Sequence, residues 1–214
     1  MTTPPIKPSD FRRGLVFVAD AFVREEPRLN ALDGAIGDGD HGITVRTGFD
    51  AIRRALPALE AGAGLEQILR EAGTAFMGAT GGAIGIIFGR MLMSAGMALH
   101  GREDLGPAEL VAMLQAMEKS IATTGKAKPG DKTILDAVHA AAAVHANQDL
   151  LETLRLAAQA AQKGADETTN MLCKVGRASK LGDRALGHSD PGANSFAVFV
   201  KALAEWVETR QTQR

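Results

Sequence analysis

Three aspartates, Asp33, Asp38 and Asp40, fall within eight residues of one another in a glycine-rich stretch. Two carboxylates about 4 Å apart repel each other by roughly 1 kcal/mol even in water, and by more where water is excluded. A folded chain that brings them together therefore needs a cation. Oxygen ligands alone favour Mg²⁺ or Ca²⁺, and Mg²⁺ commonly completes its shell with water and nucleotide phosphates. The cluster predicts a divalent-cation site and points towards phosphate chemistry, in which the neighbouring His41 is placed to hold a phosphate oxygen or to orient Asp40.

The glycines of this stretch match two other patterns in part. Gly37, Gly39 and Gly42 fit the dinucleotide-binding spacing G-x-G-x-x-G, but that loop presents bare amides to a pyrophosphate, which the two aspartates between them would repel. An EF-hand loop would need a further ligand at the correct spacing and a closing glutamate at its twelfth position, and the sequence has neither. A solvated turn that caps the next helix remains the alternative to a cation site.

A second glycine-rich segment, residues 78–85, has almost no side-chain bulk and opens a predicted helix. Bare N–H groups at a helix N-terminus bind anions, and the helix dipole reinforces them. The segment is not a Walker A loop, because no Gly-Lys-Ser/Thr follows it. The alternative is a packing role, since Gly78, Gly82, Gly85 and Gly89 repeat at helical spacing and would let another helix approach closely. The two roles are compatible.

Two further connections, residues 126–133 and 176–195, combine glycine, proline and ionised side chains with weak helical periodicity. Long irregular segments in compact domains are commonly functional, and Arg177 offers a guanidinium fork that suits phosphate. Asp190 followed by Pro191 is typical of the N-cap and first residue of a helix. These connections are therefore candidates for the remainder of a phosphate-binding site.

The elements that must position these residues are predicted to be helices. Apolar residues recur at helical spacing along nearly the whole chain and indicate roughly eight helices. Residues 11–22 show the spacing clearly, residues 82–99 and 149–172 are expected as the fourth and seventh helices, and residues 196–207 belong to the last. No window of alternating β-branched residues competes with them. Because most connections are short, we expect an all-α fold with largely antiparallel neighbours.

The composition narrows the class of protein. A length of 214 residues, 45% hydrophobic content and a net charge of -1 predict one globular domain, 1–214, with residues 1–8 as a flexible N-terminal extension. No basic stripe favours a nucleic-acid partner, and no apolar stretch predicts a signal peptide or a membrane partner. We expect a cytoplasmic protein. Cys173 is the single cysteine, so an intrachain disulfide and a cysteine-based metal cluster are excluded.

Four motifs together resemble a known family. They are LDGAIGDGDHG at residues 32–42, Gly81, Gly82 and Ala83 with Gly85, GKAKPGDKT at residues 125–133, and the segment 176–193 with GRAS, LG, GH and DPGA. In this order, from about Leu29 to Phe199, they are similar to the nucleotide-binding L subunit of dihydroxyacetone kinase. Four motifs in one order are far more specific than any one of them alone.

The resemblance implies an antiparallel barrel of about eight amphipathic helices, with ADP or ATP bound at one end through two Mg²⁺ ions. Asp33, Asp38 and Asp40 would ligate magnesium, and together with Arg177 they would form the catalytic set. The residues implied to contact the nucleotide are His41, Gly42, Ile43 and Thr44 along its length, Thr80, Gly82, Ala83 and Ile84 at the phosphates, Gly125 and Ile134 in the adenine slot, Arg177 at a phosphate, and Asp190, Pro191 and Gly192 on the base and ribose side. The chain departs from the family at Ile84, where serine is often found, and at Lys180, where an aromatic residue is common.

The implied reaction is phosphoryl transfer from Mg-bound nucleotide to dihydroxyacetone, or a related short keto-sugar, held by a separate K-type subunit. The phosphoryl donor is either free ATP or a phosphotransferase-system protein that recharges bound ADP, because both routes use the same pocket. Two alternatives belong to other functional classes. One is a nucleotide-loaded regulatory module that signals its phosphorylation state to a partner protein, and the other is a metal-binding helical structural domain without affinity for nucleotide.

Overall fold

The computed structural model describes residues 2–212, apart from the side chains of Arg177 and Ala178. Within this part of the chain there are eight α-helices and no β-strand. The helices are α1 (Pro8–Ile36), α2 (His41–Ala55), α3 (Leu65–Ala79), α4 (Gly82–Ala98), α5 (Pro107–Gly125), α6 (Ile134–Ala142), α7 (Leu150–Glu167) and α8 (Pro191–Thr212). The predicted all-α fold is confirmed.

The helices form a closed ring, because each packs against the next and α8 packs against α1. Consecutive helices joined by short connections run antiparallel. The connections α1–α2, α3–α4, α5–α6 and α7–α8 therefore lie at one end of the barrel, which we call the site end. The three remaining connections, residues 56–64, 99–106 and 143–149, lie at the opposite end. All the unusual connections singled out in the sequence are at the site end.

A cluster of phenylalanines fills the interior of the barrel. Phe22 stacks on Phe49 with ring centroids 4.2 Å apart, and Phe76 stacks on Phe88 at 5.2 Å. Phe199 from α8 lies 6.1 Å from Phe49. Burying each ring stabilises the fold by roughly 1.5–3 kcal/mol. Because the rings come from α1, α2, α3, α4 and α8, the core fixes the positions of the helix ends that carry the candidate site.

The repeated glycines of residues 78–89 divide between the two roles considered for them. A Cβ at Gly89 would lie 2.0 Å from Met77 Cγ and 2.8 Å from the carbonyl oxygen of Gly73, so this glycine permits the close approach of α3 and α4. A Cβ at Gly78 or Gly82 would meet nothing within 4 Å. Close contacts explain Gly89, and also Gly85, whose Cβ would lie 2.6 Å from the carbonyl oxygen of Thr80, whereas they do not explain Gly78 and Gly82.

Two expectations about element boundaries are wrong. Residues 2–7 are not a free extension, because Ile6 pairs with Leu105 and is 1% exposed, and Thr3 hydrogen-bonds to Asp149. The apolar side chain of Ile6 is buried in the core and so holds this segment against the barrel. The proline-containing sequence of the segment did not predict this burial. The seventh helix ends at Glu167, short of residue 172, and a 3-10 turn, Thr168–Asn170, follows.

The glycine-rich segment of residues 78–85 is also divided differently from expectation. Gly78 and Ala79 belong to the last turn of α3, so only Thr80 and Gly81 connect α3 to α4.

Among residues 2–212, none of the helices combines the length and the apolar character that crossing a bilayer requires.

The glycine contacts predict opposite effects for two alanine substitutions in α3. In Gly73→Ala the new Cβ would lie 2.5 Å from the carbonyl oxygen of Gly89. We expect this overpacking to lower the free energy of unfolding by about 1–3 kcal/mol. Gly78→Ala is the matched control, because its Cβ has open space and alanine is the better helix former, which should raise stability by about 0.5–1 kcal/mol. Urea unfolding measures both, and equal effects of the two substitutions would contradict the packing described here.

Candidate functional site

Asp33, Asp38 and Asp40 converge where α1 ends and α2 begins. Asp33 lies in the last turn of α1, and the other two lie in the connection of residues 37–40. Each offers a carboxylate oxygen, and the three oxygens lie within 4.8 Å of one another. Asp40 occupies the N-cap position of α2, but its side chain makes no capping hydrogen bond. This donor set, all oxygen and all anionic, has the chemistry that Mg²⁺ requires.

The orientation of Asp33 is fixed by the loop it faces. Its Oδ2 accepts hydrogen bonds from the backbone N–H groups of Gly39 at 2.8 Å and Asp40 at 3.1 Å. Gly39 adopts φ +80, a left-handed conformation that glycine reaches without strain. A Cβ at Gly42 would lie 2.3 Å from the carbonyl oxygen of Glu26. The glycines therefore let the loop fold back against α1, and this is why they match a dinucleotide fingerprint without forming one.

Asn30 is a part of this site that the sequence analysis missed. Its Oδ1 accepts the backbone N–H of Ile43 at 3.1 Å, so a residue of α1 caps the start of α2. A side-chain acceptor at a helix N-terminus typically contributes about 0.5–2 kcal/mol. The cap comes from another helix, 13 residues earlier in the chain, so no local capping pattern in the sequence reveals it.

The start of α4 is exposed and lacks a side-chain cap. Gly81 is its N-cap residue, Gly82 has φ +69, and both are exposed together with Ala83. The Thr80 hydroxyl donates to the carbonyl oxygen of Phe76 at 2.7 Å and so helps to end α3. Ile84 is half-buried against the core. The backbone amides, rather than side chains, are what this turn offers to an anion.

The base-side residues meet across α6 and α8. Asp190 accepts the backbone N–H of Ala193 at 2.7 Å and caps α8, which begins at Pro191 as the sequence predicts. A Cβ at Gly192 would lie 3.3 Å from the Cβ of Ile134. Burial raises the pKa of Asp190 to about 7, although its hydrogen bond to Ala193 opposes this change.

His41 connects the metal-loop side to the base side. Its Nε2 lies 2.6 Å from the hydroxyl oxygen of Ser195, and that hydroxyl donates to the carbonyl oxygen of Pro191 at 3.1 Å. The ring is 5% exposed. Burial lowers its pKa to about 4, although the nearby charge of Asp33 acts in the opposite direction. The neutral ring therefore donates its Nε2 proton to Ser195 and ties the start of α2 to the start of α8.

The remaining candidates are distributed around the same end. Gly125 is the last residue of α5. Arg177 begins the 3-10 stretch Arg177–Ala185, and its side chain lies outside the described part of the structure. The same α7–α8 connection carries two further exposed polar side chains, Arg184 and His188, which were not among the predicted site residues. The structure thus brings together the three aspartates with His41, and separately Ile134 with the start of α8, all at the site end.

The chain is similar to several known proteins. The profile of a family described as the DAK2 domain matches residues 35–205. The chain is 36% identical over 190 residues to the PEP-dependent dihydroxyacetone kinase, ADP-binding subunit DhaL, of Escherichia coli strain K12, covering 86% of this chain and 90% of that protein. It is 34% identical to the L-erythrulose kinase of Pectobacterium atrosepticum, covering 86% of this chain and 32% of that protein.

A solved structure shows the same fold. The crystal structure of the dihydroxyacetone kinase from C. freundii in complex with AMP-PNP and Mg²⁺ matches with a TM-score of 0.73 and 28% sequence identity. The match covers 94% of this chain and 34% of that chain, so this chain spans about a third of the larger protein's length.

The buried imidazole predicts a specific dependence of stability on pH. His41 binds a proton below about pH 6.5 in the unfolded chain but only near pH 4 in the folded chain. The stability that the neutral His41 ring contributes above pH 6.5 is therefore lost as the pH falls from 6.5 to about 4. Between pH 7.5 and 5 we expect wild type to lose about 1–2 kcal/mol more than His41→Gln, whose amide keeps a donor for Ser195. Urea unfolding at each pH measures this difference, and parallel curves for the two proteins would contradict a neutral buried His41.

Proposed function

This chain belongs to the DAK2 domain family, and we propose that it is the nucleotide-binding component of a dihydroxyacetone kinase, transferring a phosphoryl group from Mg-bound nucleotide to dihydroxyacetone or a related short keto-sugar. One observation carries the proposal: carboxylate oxygens of Asp33, Asp38 and Asp40 lie within 4.8 Å of one another at the site end. Like charges held this close indicate a site built for cations. The names of the relatives supply the class of reaction.

We assign the metal to these three carboxylates. Two Mg²⁺ ions bound here would neutralise charge on the transferring phosphates and hold them in line. Asp33 keeps its Oδ2 occupied by two loop amides, so the protein sets its orientation before any cation arrives. Preorganised groups of this kind require little rearrangement during transfer.

The phosphates are assigned to the start of α4. Its exposed first residues, Gly82 and Ala83, are uncapped by side chains and carry the positive end of the helix dipole. Thr80 and Ile84 flank them, and Arg177 is assigned to a phosphate oxygen by its place in the family motif. Preorganised backbone amides and the positive charge of an arginine both stabilise the charge that develops on a phosphoryl group in the transition state.

The base and ribose are assigned to the wall between α6 and α8. Gly125, Ile134, Asp190, Pro191 and Gly192 are assigned to this wall, and the proximity of Gly192 to Ile134 supports the assignment, since a Cβ at Gly192 would lie 3.3 Å from the Cβ of Ile134. The first turn of α2, residues 41–44, is assigned to the length of the nucleotide. Ile134 and Pro191 are apolar residues at the starts of α6 and α8, and side chains of this kind commonly line small-molecule pockets.

The acceptor is assigned to a separate K-type subunit. No side chain of this chain is required as a nucleophile, since the attacking oxygen belongs to the ketone substrate. Two large apolar side chains near the site, Ile43 and Ile86, are 44% and 51% exposed, which supports a partner that covers this end and excludes water. The name of the Escherichia coli relative as an ADP-binding subunit supports the same arrangement.

The phosphoryl donor is assigned to a phosphoenolpyruvate-driven route. Relatives from Escherichia coli and Listeria innocua are both named as parts of PEP-dependent kinases. In that route a phosphotransferase-system protein would recharge ADP that stays in the pocket, whereas in the alternative route free ATP would exchange with the product. Turnover with ATP alone distinguishes the two.

The assignment predicts the effect of removing one ligand. In Asp38→Ala the cation loses one of three carboxylates, and we expect the affinity for ADP in Mg²⁺ to fall by more than about 100-fold, since even supporting contacts around metals contribute 10–100-fold. The helical circular dichroism should be unchanged. Glu103→Gln is the control, because this carboxylate is exposed at the opposite end of the barrel. Calorimetry in Mg²⁺ and in EDTA measures the affinities, and an unchanged affinity of Asp38→Ala would refute the metal site.

Reconstitution tests the reaction itself. The purified chain is combined with candidate K-type subunits, and ketone phosphorylation is assayed with ATP and then with a phosphoenolpyruvate-driven donor system. We expect product only with the second donor, and only with Mg²⁺. Tight binding of nucleotide without ketone phosphorylation by any K-type subunit would favour a nucleotide-loaded regulatory module.

A further inference from the structure

Lys132 is buried at the site end and belongs to none of the assigned contacts. Its side chain is 1% exposed, although lysines are almost never fully buried without partners. Nζ donates to three backbone carbonyl oxygens, those of Thr168 at 2.8 Å, Ala185 at 2.7 Å and His188 at 2.6 Å. A charged ammonium has three donors, so each N–H has one acceptor.

The three carbonyls lie at successive points along the α7–α8 connection, residues 168–190. Thr168 follows the end of α7, Ala185 ends the 3-10 stretch, and His188 precedes the start of α8. This connection contains glycines with positive φ at positions 176, 182 and 187. Such a chain has many alternative conformations, and one buried ammonium selects the conformation in which all three carbonyls converge.

The backbone at Lys132 is itself unusual. Its φ is 60, a left-handed conformation that a side chain other than glycine rarely adopts. Strained backbone persists where surrounding contacts over-determine it, and it is concentrated at functional sites. Two aspartates flank the loop turn: Asp131 accepts the N–H of Lys128, and Asp136 accepts the N–H of Thr133.

Lys132 is next to the residues assigned to the base. Ile134 follows it by two positions, and Asp190 follows the last bonded carbonyl by two positions. The Asp190 N–H is bonded to Thr168 Oγ1 at 2.8 Å, so the start of α8 depends on the same turn that Lys132 holds. Burial lowers the pKa of Lys132, and the charge of Asp190 opposes this change.

We propose that Lys132 is a positioning residue that fastens residues 168–190 to the α5–α6 loop, forming the wall on the base and ribose side that retains the nucleotide. It acts through the backbone of that connection and does not touch the nucleotide. The proposal rests on the proposed nucleotide site. In this proposal, ADP is retained because Lys132 holds the backbone that forms the pocket wall, without contacting ADP itself.

The test measures how fast radiolabelled ADP leaves the protein in Mg²⁺. In Lys132→Met a side chain of similar length replaces the lysine without its donors. We expect dissociation to accelerate by about 10–100-fold, the range seen when groups that support a binding site are removed. With saturating nucleotide, a K-type subunit and the phosphoenolpyruvate-driven donor system, kcat should stay within about twofold, because the transferring phosphate is bound elsewhere.

Lys174→Met is the matched control. Lys174 also joins the two segments, donating to the carbonyl oxygen of Gly130 at 3.1 Å, but its side chain is 57% exposed. We expect its ADP dissociation to match wild type. Gly73→Ala controls for a general loss of stability, since its overpacking is between α3 and α4. Dissociation from Lys132→Met that matches either control would overturn the proposal.

Hydrogen exchange in wild type keeps the proposal testable if Lys132→Met does not fold. The N–H of Gly187 is bonded to the carbonyl oxygen of Thr169 at 3.0 Å within the fastened connection. Adding Mg²⁺ and ADP should slow exchange across residues 168–190. Protection confined to the α1–α2 end would overturn the proposal, whereas a wild type that binds no ADP at all would refute the proposed function instead.

Discussion

Alternation of direction around a closed ring of eight helices is the constraint on which the rest of this structure depends. Because the ring closes between α1 and α8, every connection from an odd to an even helix lies at the same end. Four segments that are far apart in the sequence therefore become neighbours. Phenylalanine rings from several of these helices stack in the barrel interior and hold the helix ends in place.

The site end contains two regions of opposite electrostatic character. Carboxylates attract cations between α1 and α2, and uncapped backbone amides attract anions at the start of α4. A magnesium nucleotide suits both regions, because its Mg²⁺ can bind the carboxylates while its phosphates bind the amides. The hydrogen bond between His41 and Ser195 connects the first helix pair to α8, so the two halves of the pocket share a link whose imidazole is neutral.

Features that depend on neighbouring residues could be predicted from the sequence. The helical spacing and the capping of α8 by Asp190 are local patterns that the structure confirms, and the three aspartates, which are close in sequence, also lie close in space. Features that depend on distant residues could not. His41 and Ser195 are 154 positions apart, and Lys132 reaches carbonyls 36 to 56 positions away.

The side chains that were missed gave no local signal. A lysine in a polar loop ordinarily indicates a solvated residue, and neither its burial nor its acceptors follow from its neighbours. Ile6 was missed for the same reason, because its partner Leu105 lies in the α4–α5 connection. Periodicity locates the helices, while the contacts between their ends are set only when the ring closes.

The start of α1 and the end of α8 lie at the end of the barrel remote from the carboxylates. Arg210 near the end of α8 pairs with Asp10 at the start of α1, and Gln211 hydrogen-bonds to Thr3. A chain joined to the start of α1 or to the end of α8 would begin at that remote face. Fusion to another protein, or attachment to a solid support, at that face would therefore leave the site end accessible to ligands.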